Sequence, residues 1–324
     1  MKNVPRHLAL ALAASLAIST AATAAPREVR IASHVSALAP LHAQSQMFAA
    51  EIEKRLPGHF VFKLFPGGQL GKEDALIDNA RLGSIEMINV ASGVLKLDKK
   101  LGVFDLPWLF TDRAQVKRAM MGPLGKQVAD RIESKSGVVV IGIYENGFRH
   151  VMNSARAIKE PADMKGLKIR VAGGKFRQQV FADLGATPAK VSWAETFTAM
   201  QTGVVDGAES GIYGFYESKL YEVQKHLSLT NHVYTPSFLI ASKAFFSSLT
   251  PEEQKAFREA GAAITAATYD EAAALEDKYL ATMKTKVEVN EVDLPAFRQA
   301  TQATYDSYVK SQGDDWIKLI NAVR

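Results

Sequence analysis

Gly166-Leu-Lys-Ile-Arg-Val171, followed by Gln201-Thr-Gly-Val-Val-Asp-Gly-Ala-Glu-Ser210, carries the decisive reading of this chain. Leu167 to Val171 is a short apolar run interrupted near its end by Arg170. An arginine in that position marks the C-terminal end of a parallel strand, the edge at which open α/β sheets bind ligands. A guanidinium presents five donors in a fixed fork and keeps its charge, so it suits bidentate capture of a carboxylate. The same arginine could equally serve as the partner of a nearby structural acid.

Working outward, the N-terminal side alternates strands and helices. Glu28 to His34 alternates apolar and polar residues as a strand does. Pro40 and Leu41 open a helical pattern that carries Met47, Phe48, Ile52 and Leu56 on one side, until Pro57-Gly58 stops it. Phe60 to Leu64 reads as a strand, Glu73 to Leu82 as a helix stopped by Gly83, and Ile85 to Val90 as another strand. This β-α-β-α-β order predicts a parallel sheet with helices on its faces. Gly137-Val-Val-Val-Ile-Gly142 has the composition of a buried central strand, and the polar, aromatic run Tyr144 to His150 after it suits a crossover to a second domain.

The C-terminal side continues in the same style. Phe176 to Leu184 predicts a helix, Ser192-Trp-Ala-Glu195 a capping box opening a helix that ends at Gly203, and Val204-Val-Asp206 a short strand leading to Glu209 and Ser210. Asp206 ties the turn, as Asp-Gly favours, and Glu209 reads as structural. Thr250-Pro-Glu-Glu253 is a second capping signal, and from there to Lys286 the only glycine is Gly261. One continuous helix there would be about 50 Å long at 1.5 Å per residue; two helices broken at Gly261 are the alternative.

Composition limits the function classes. Lys2 and Arg6, the apolar run Leu8 to Ile18 and Ala22-Thr-Ala24 read as a secretory signal over residues 1–25, cleaved near Ala24 or Ala25, which places the chain in the periplasm. The apolar run is shorter than the roughly 20 residues that a membrane span needs. Of 39 Lys plus Arg the signal removes two, leaving 37 against 34 Asp plus Glu, a balance that gives no case for nucleic-acid binding. With no cysteine the chain has no disulfide framework, thiolate metal site or cysteine nucleophile. It also lacks the Gly-x-Ser-x-Gly elbow, the His-Glu-x-x-His pair and the Gly-x-Gly-x-x-Gly fingerprint, so no catalytic residue or cofactor is expected. His34 has no second histidine at metal spacing, and no metal is expected.

Several fragments, in order along nearly the whole mature chain, resemble the periplasmic solute-binding proteins of TRAP transporters. They are Phe65-Pro-Gly-Gly-Gln-Leu-Gly71, Leu101-Gly-Val-Phe-Asp-Leu-Pro-Trp108, Asn146-Gly-Phe-Arg149, Met164-Lys-Gly-Leu-Lys-Ile-Arg170, Leu184-Gly-Ala-Thr-Pro188, Gln201 to Gly207 and Leu220-Tyr-Glu-Val-Gln224. The resemblance implies a two-domain α/β binding protein, each domain a sheet flanked by helices, with a long C-terminal helix bridging both. The expected division is residues 26–147 and 236–276 in the first domain and 148–235 and 277–324 in the second, with the ligand cleft between them.

For the site, the resemblance implies that Arg170 clamps a substrate carboxylate and that Arg149 reaches the same ligand unless it pairs with an acid at the domain junction. Trp193 matches an aromatic position against the ligand, and its alternative is the core of its own helix. Ser210 stands where the family pattern Asp-Gly-Gln-Glu-Asn-Pro has asparagine, and its hydroxyl keeps the dual donor and acceptor capacity at shorter reach. Tyr213, Tyr234 and Phe238 lie where some members of that family place aromatic walls, and a place in the core is the alternative for each. From the first domain, Glu73 matches an acid that accepts ligand hydroxyls, the alternative being a solvated first-turn acid stabilised by the helix dipole, and His34 and Ser92 lie at the expected sheet edge. The implied activity is capture of a small organic acid, a hydroxy- or keto-monocarboxylate, by a monomer that closes on it and delivers it to the membrane permease subunits. An exported α/β enzyme acting on a small carboxylate and a ligand-presenting sensor module are the alternatives.

Overall fold

The computed structural model describes residues 25–324. The expected signal segment lies outside the described residues apart from Ala25. Eleven strands form among them: β1 (Arg27–Ala32), β2 (Phe60–Phe65), β3 (Met87–Val90), β4 (Val138–Tyr144), β5 (His150–Asn153), β6 (Lys168–Val171), β7 (Thr187–Lys190), β8 (Gly207–Ser210), β9 (His226–Ser228), β10 (Ser237–Ser242) and β11 (Glu288–Asn290). They divide into a five-stranded sheet, β2-β1-β3-β10-β4, and a six-stranded sheet, β11-β9-β5-β8-β6-β7.

In the first sheet β1 runs parallel to β2 and β3, as the alternation predicts. The sheet is nevertheless mixed rather than parallel, because β10 returns from far along the chain and pairs antiparallel with both β3 and β4. That insertion moves β4 to an edge, against the expectation of a central strand. Its unbroken apolar composition has another cause: Val138, Val140 and Ile143 pack into one core while Val139, Ile141 and Tyr144 pack into another, so both faces are buried.

The helix that covers β4 is Pro251–Met283, 33 residues without a break. Thr250 Oγ1 accepts from the Glu253 amide at 3.2 Å and Glu253 Oε2 accepts from the Thr250 amide at 2.8 Å, completing the predicted capping box. Gly261 does not end this helix. A side chain there would run into the carbonyl of Ile141, so the glycine lets the helix backbone lie directly on β4. Phe257 and Ile264 join the first-sheet core, whereas Tyr279 and Met283 join that of the second, so one helix spans both units.

The chain also crosses from Glu145 to Arg149, joining β4 to β5, and on the return from β9 to β10, and these two segments pair through a Phe148–Tyr234 bridge. The C-terminal helix Asp315–Asn321 departs from the expected division: Trp316 and Ile320 pack with Leu124 and Val128 in the first unit's core. No described helix is long and apolar enough to cross a membrane.

Two local expectations also change. The strand expected over Val204 to Asp206 forms at Gly207–Ser210, and Asp206 Oδ2 instead accepts from the Lys168 amide at 2.7 Å, tying the start of β6. Ser192 caps its helix without a side-chain bond to the backbone; its hydroxyl donates to Glu195, which also meets Lys72 at 2.7 Å.

Candidate functional site: a cleft between the sheets

Arg170 lies on β6, which runs parallel to β7 and β8, so the local strand reading of its position holds. The side chain is only 4 % exposed. Its Nε donates to the Val191 carbonyl at 2.9 Å, and its guanidinium carbon stands 5.2 Å from the centre of the Trp193 ring. Nη1 is buried with no hydrogen-bond partner. Burial draws the guanidinium down to about 10, which still leaves it charged at neutral pH. Neither of its contacts is a carboxylate.

Arg149 is differently employed. Its Nε donates to the Glu209 carboxylate and its Nη2 to the Glu209 carbonyl at 2.9 Å. Glu209 Oε1 also accepts from the Ala172 amide at 2.7 Å and stands 3.6 Å from Arg177 Nη1. Arg177 in turn pairs with Asp105 at 2.6 Å and donates to Ser92 Oγ at 3.2 Å and Thr235 Oγ1 at 3.0 Å. Burial works to raise the Glu209 carboxyl, but Arg149 and Arg177 outweigh it and hold it well below the ordinary range. This buried network fixes the floor of the cleft.

Above the floor the two units enclose a cavity of about 270 Å³, lined by His34, Glu73 and Lys72 on one side and by Arg170 and Trp193 on the other. A smaller inner chamber continues from it past Ser92, Arg149, Ser210, Tyr213 and Glu217. Trp193 is half-buried at the first turn of its helix, so it belongs to the cavity wall rather than to a closed core. Ser210 ends β8 beside the backbone of Gly214, a position that has no room for a side chain. Tyr213 donates its hydroxyl to Asn146.

Glu73 opens its helix and accepts from the Ala91 amide at 2.8 Å, with His34 Nε2 at 3.8 Å. Burial alone would raise its pKa; His34 and the amides of Ala91 and Gly93 prevail and keep the carboxylate below its ordinary value.

Two expected walls are not in the cleft. Tyr234 is 2 % exposed, packs edge-on against Phe110 and Phe148, and donates to Glu145 Oε2 at 2.5 Å. Phe238 is fully buried within β10, facing the first-sheet core. Phe238 is core because β10 is inserted between β3 and β4, and Tyr234, in the segment before β10, is covered by Phe110 and Phe148.

Conversely, the structure adds Lys72, Asn146, Arg177 and Glu217, to which the sequence assigned no role. Only Arg177 left a signal. A side chain at Gly173 would collide with that of Arg177, so the Gly173-Gly174 pair makes room for it. Among the described residues no group of three or more His, Asp or Glu side chains could hold a metal ion.

Comparison with known proteins agrees with this geometry. Residues 31–312 match the family model DctP, bacterial extracellular solute-binding protein, family 7. The 2,3-diketo-L-gulonate-binding periplasmic protein YiaO of Escherichia coli is 34 % identical over 324 residues, covering 98 % of each chain. A TRAP periplasmic solute-binding protein from Polaromonas sp. JS666 bound to D-erythronate superposes with a TM-score of 0.89 at 30 % identity, covering 92 % of this chain and 99 % of that one. Another, from Sulfurospirillum deleyianum with bound succinate, has a TM-score of 0.86 at 27 % identity over 93 % of this chain and all of the other. The family comprises solute-binding proteins of transporters rather than enzymes, and this chain belongs to it: it is a member of extracellular solute-binding protein family 7, the DctP family of TRAP transport.

Proposed function

We propose that this chain captures a small hydroxy- or keto-monocarboxylate in the periplasm and hands it to a TRAP permease. The observation that carries this reading is the employment of the arginines. Arg149 and Arg177 each contact a carboxylate of the protein, whereas Arg170 does not and keeps Nη1 free of partners. A single uncompensated guanidinium recruits one carboxylate, in bidentate geometry and with Trp193 beside it. Glu73, held ionised on the opposite wall, accepts ligand hydroxyls and repels a second carboxylate.

Residues 26–147 and 236–276 would move as one body and residues 148–235 and 277–324 as another, except that the helix Asp315–Asn321 goes with the first. Binding would shift the population toward the closed arrangement. Export would follow cleavage near Ala24 or Ala25, and the carrier would work as a monomer. The relatives with bound D-erythronate and bound succinate show both ligand types within the fold, so the arginine argument has a direct test. Calorimetry on the mature protein should give tighter binding of D-erythronate than of succinate, and mass spectrometry of ligand released by denaturation should find a monocarboxylate. Preference for the dicarboxylate would defeat this reading.

A further inference from the structure

The inner chamber gathers buried polar atoms that lack hydrogen-bond partners: Arg170 Nη1, Asn146 Nδ2, His34 Nδ1 and Glu217 Oε1. A buried polar group without a partner is costly, and such groups cluster where a ligand completes them. The first is accounted for by the carboxylate. Glu217 is not. It is the last residue of the helix Ile212–Glu217, and its Oε2 accepts from Ser36 Oγ at 2.6 Å, a bond from the loop that follows β1 in the other unit.

Among the described residues no lysine, arginine or histidine forms an ion pair with Glu217, so nothing offsets the cost of ionising it there. Burial pushes its carboxyl up to about 8. A carboxyl kept neutral both donates and accepts, the same capacity as an alcohol. Ser36 uses one oxygen; the other is buried in the wall of the chamber.

We infer that Glu217 recognises a hydroxyl of the bound acid, setting a preference for polyhydroxylated acids over simpler ones. This rests on the monocarboxylate reading above. A latch between the two units is the competing role, because the Ser36 bond alone would favour closure over any ligand. The two roles separate when hydroxyl content is varied at constant charge.

Calorimetry of the full mature protein with D-erythronate and with 2-hydroxybutanoate, which lacks the further hydroxyls, supplies the test. Glu217→Leu should weaken D-erythronate by about tenfold more than it weakens 2-hydroxybutanoate, since both acids lose the Ser36 bond but only one loses a hydroxyl contact in a buried site. Glu217→Gln, which still donates and accepts, should recover most of the loss. Ser36→Ala should weaken both acids by the same factor, with their ratio intact, and melting curves confirm that each variant is folded. Equal weakening of both acids by Glu217→Leu would overturn the inference and leave a latch. A wild-type protein that binds neither acid would overturn the monocarboxylate reading itself.

Discussion

Lys72 Nζ lies 2.7 Å from Glu195 Oε1, joining the helix start beside Glu73 in one unit to the first turn of the helix that carries Trp193 in the other. The bond crosses the mouth of the cleft, whereas Ser36 and Glu217 cross deeper inside. Both side chains are more than half exposed, at 58 % and 56 %. Exposed pairs of this kind contribute between roughly 0 and 1 kcal/mol. Lys72→Ala should therefore change ligand affinity less than about fivefold, with the difference vanishing as salt is raised. Calorimetry at low and high ionic strength measures this; a large, salt-insensitive loss would show that Lys72 touches the ligand.

Arg170 should decide binding without supporting the fold. Removing one partner of a buried, hydrogen-bonded charge pair costs roughly 2–5 kcal/mol, so Arg170→Ala should weaken the cognate acid about 30-fold or more. Arg170→Lys keeps the charge but loses the planar fork, and recovers part of that affinity. The ligand-free protein should melt no earlier than wild type, because Arg170 contacts no carboxylate of its own chain. Normal binding with early melting would reverse its role.

Arg149 should behave in the opposite way. Arg149→Ala leaves Glu209 buried with less compensation, and breaking such a pair costs about 3–5 kcal/mol. Chemical denaturation of the ligand-free variant reads that loss directly. An Arg149→Ala protein as stable as wild type would mean that Arg177 alone suffices for Glu209.

Between about pH 6.5 and 8.5, above the range in which the buried histidines His34, His150 and His232 act in the opposite sense, stability should fall as Glu145 and Glu217 ionise. Burial pushes Glu217 up to about 8 and Glu145 to about 7, both from an ordinary 4.5, and in Glu145 burial prevails over the attraction of Arg113. A carboxyl raised in the folded state contributes stability that is fully present below 4.5 and lost as pH passes the raised value. Glu217→Gln has no proton to lose and should flatten the upper part of the slope, leaving the part due to Glu145. Melting temperature against pH for the two ligand-free proteins tests this; superimposable profiles would show that Glu217 titrates normally.

Gly261→Ala should destabilise despite raising helix propensity. A methyl at this position meets the Ile141 carbonyl, a backbone atom that cannot rotate away, so the helix must lift from β4. Such overpacking costs about 1–3 kcal/mol, more than the roughly 1 kcal/mol that glycine-to-alanine replacement gains in a free helix. A higher melting temperature would show that helix and strand separate without penalty.

What the sequence determined by itself was local. The periodicities set most helices and strands, Thr250 and Glu253 fixed the start of the long helix, and Arg170 was legible because a charged residue in an apolar strand needs a reason. The motif order carried the family and, through it, His34, Glu73, Ser92, Arg149, Trp193, Ser210 and Tyr213, all of which line the cleft. Only the tertiary structure decided the rest. The place of β10 in its sheet made Phe238 core, the pairing with Phe148 did the same for Tyr234, and Glu195 gained Lys72 of the other unit as a partner. The bond between Ser36 and Glu217 joins residues 181 positions apart, a separation that no local pattern encodes. Propensity and spacing act over a few residues, whereas burial and pairing depend on which distant segments the fold brings together; the free fork of Arg170 and the unpaired oxygen of Glu217 exist only in that assembled cleft.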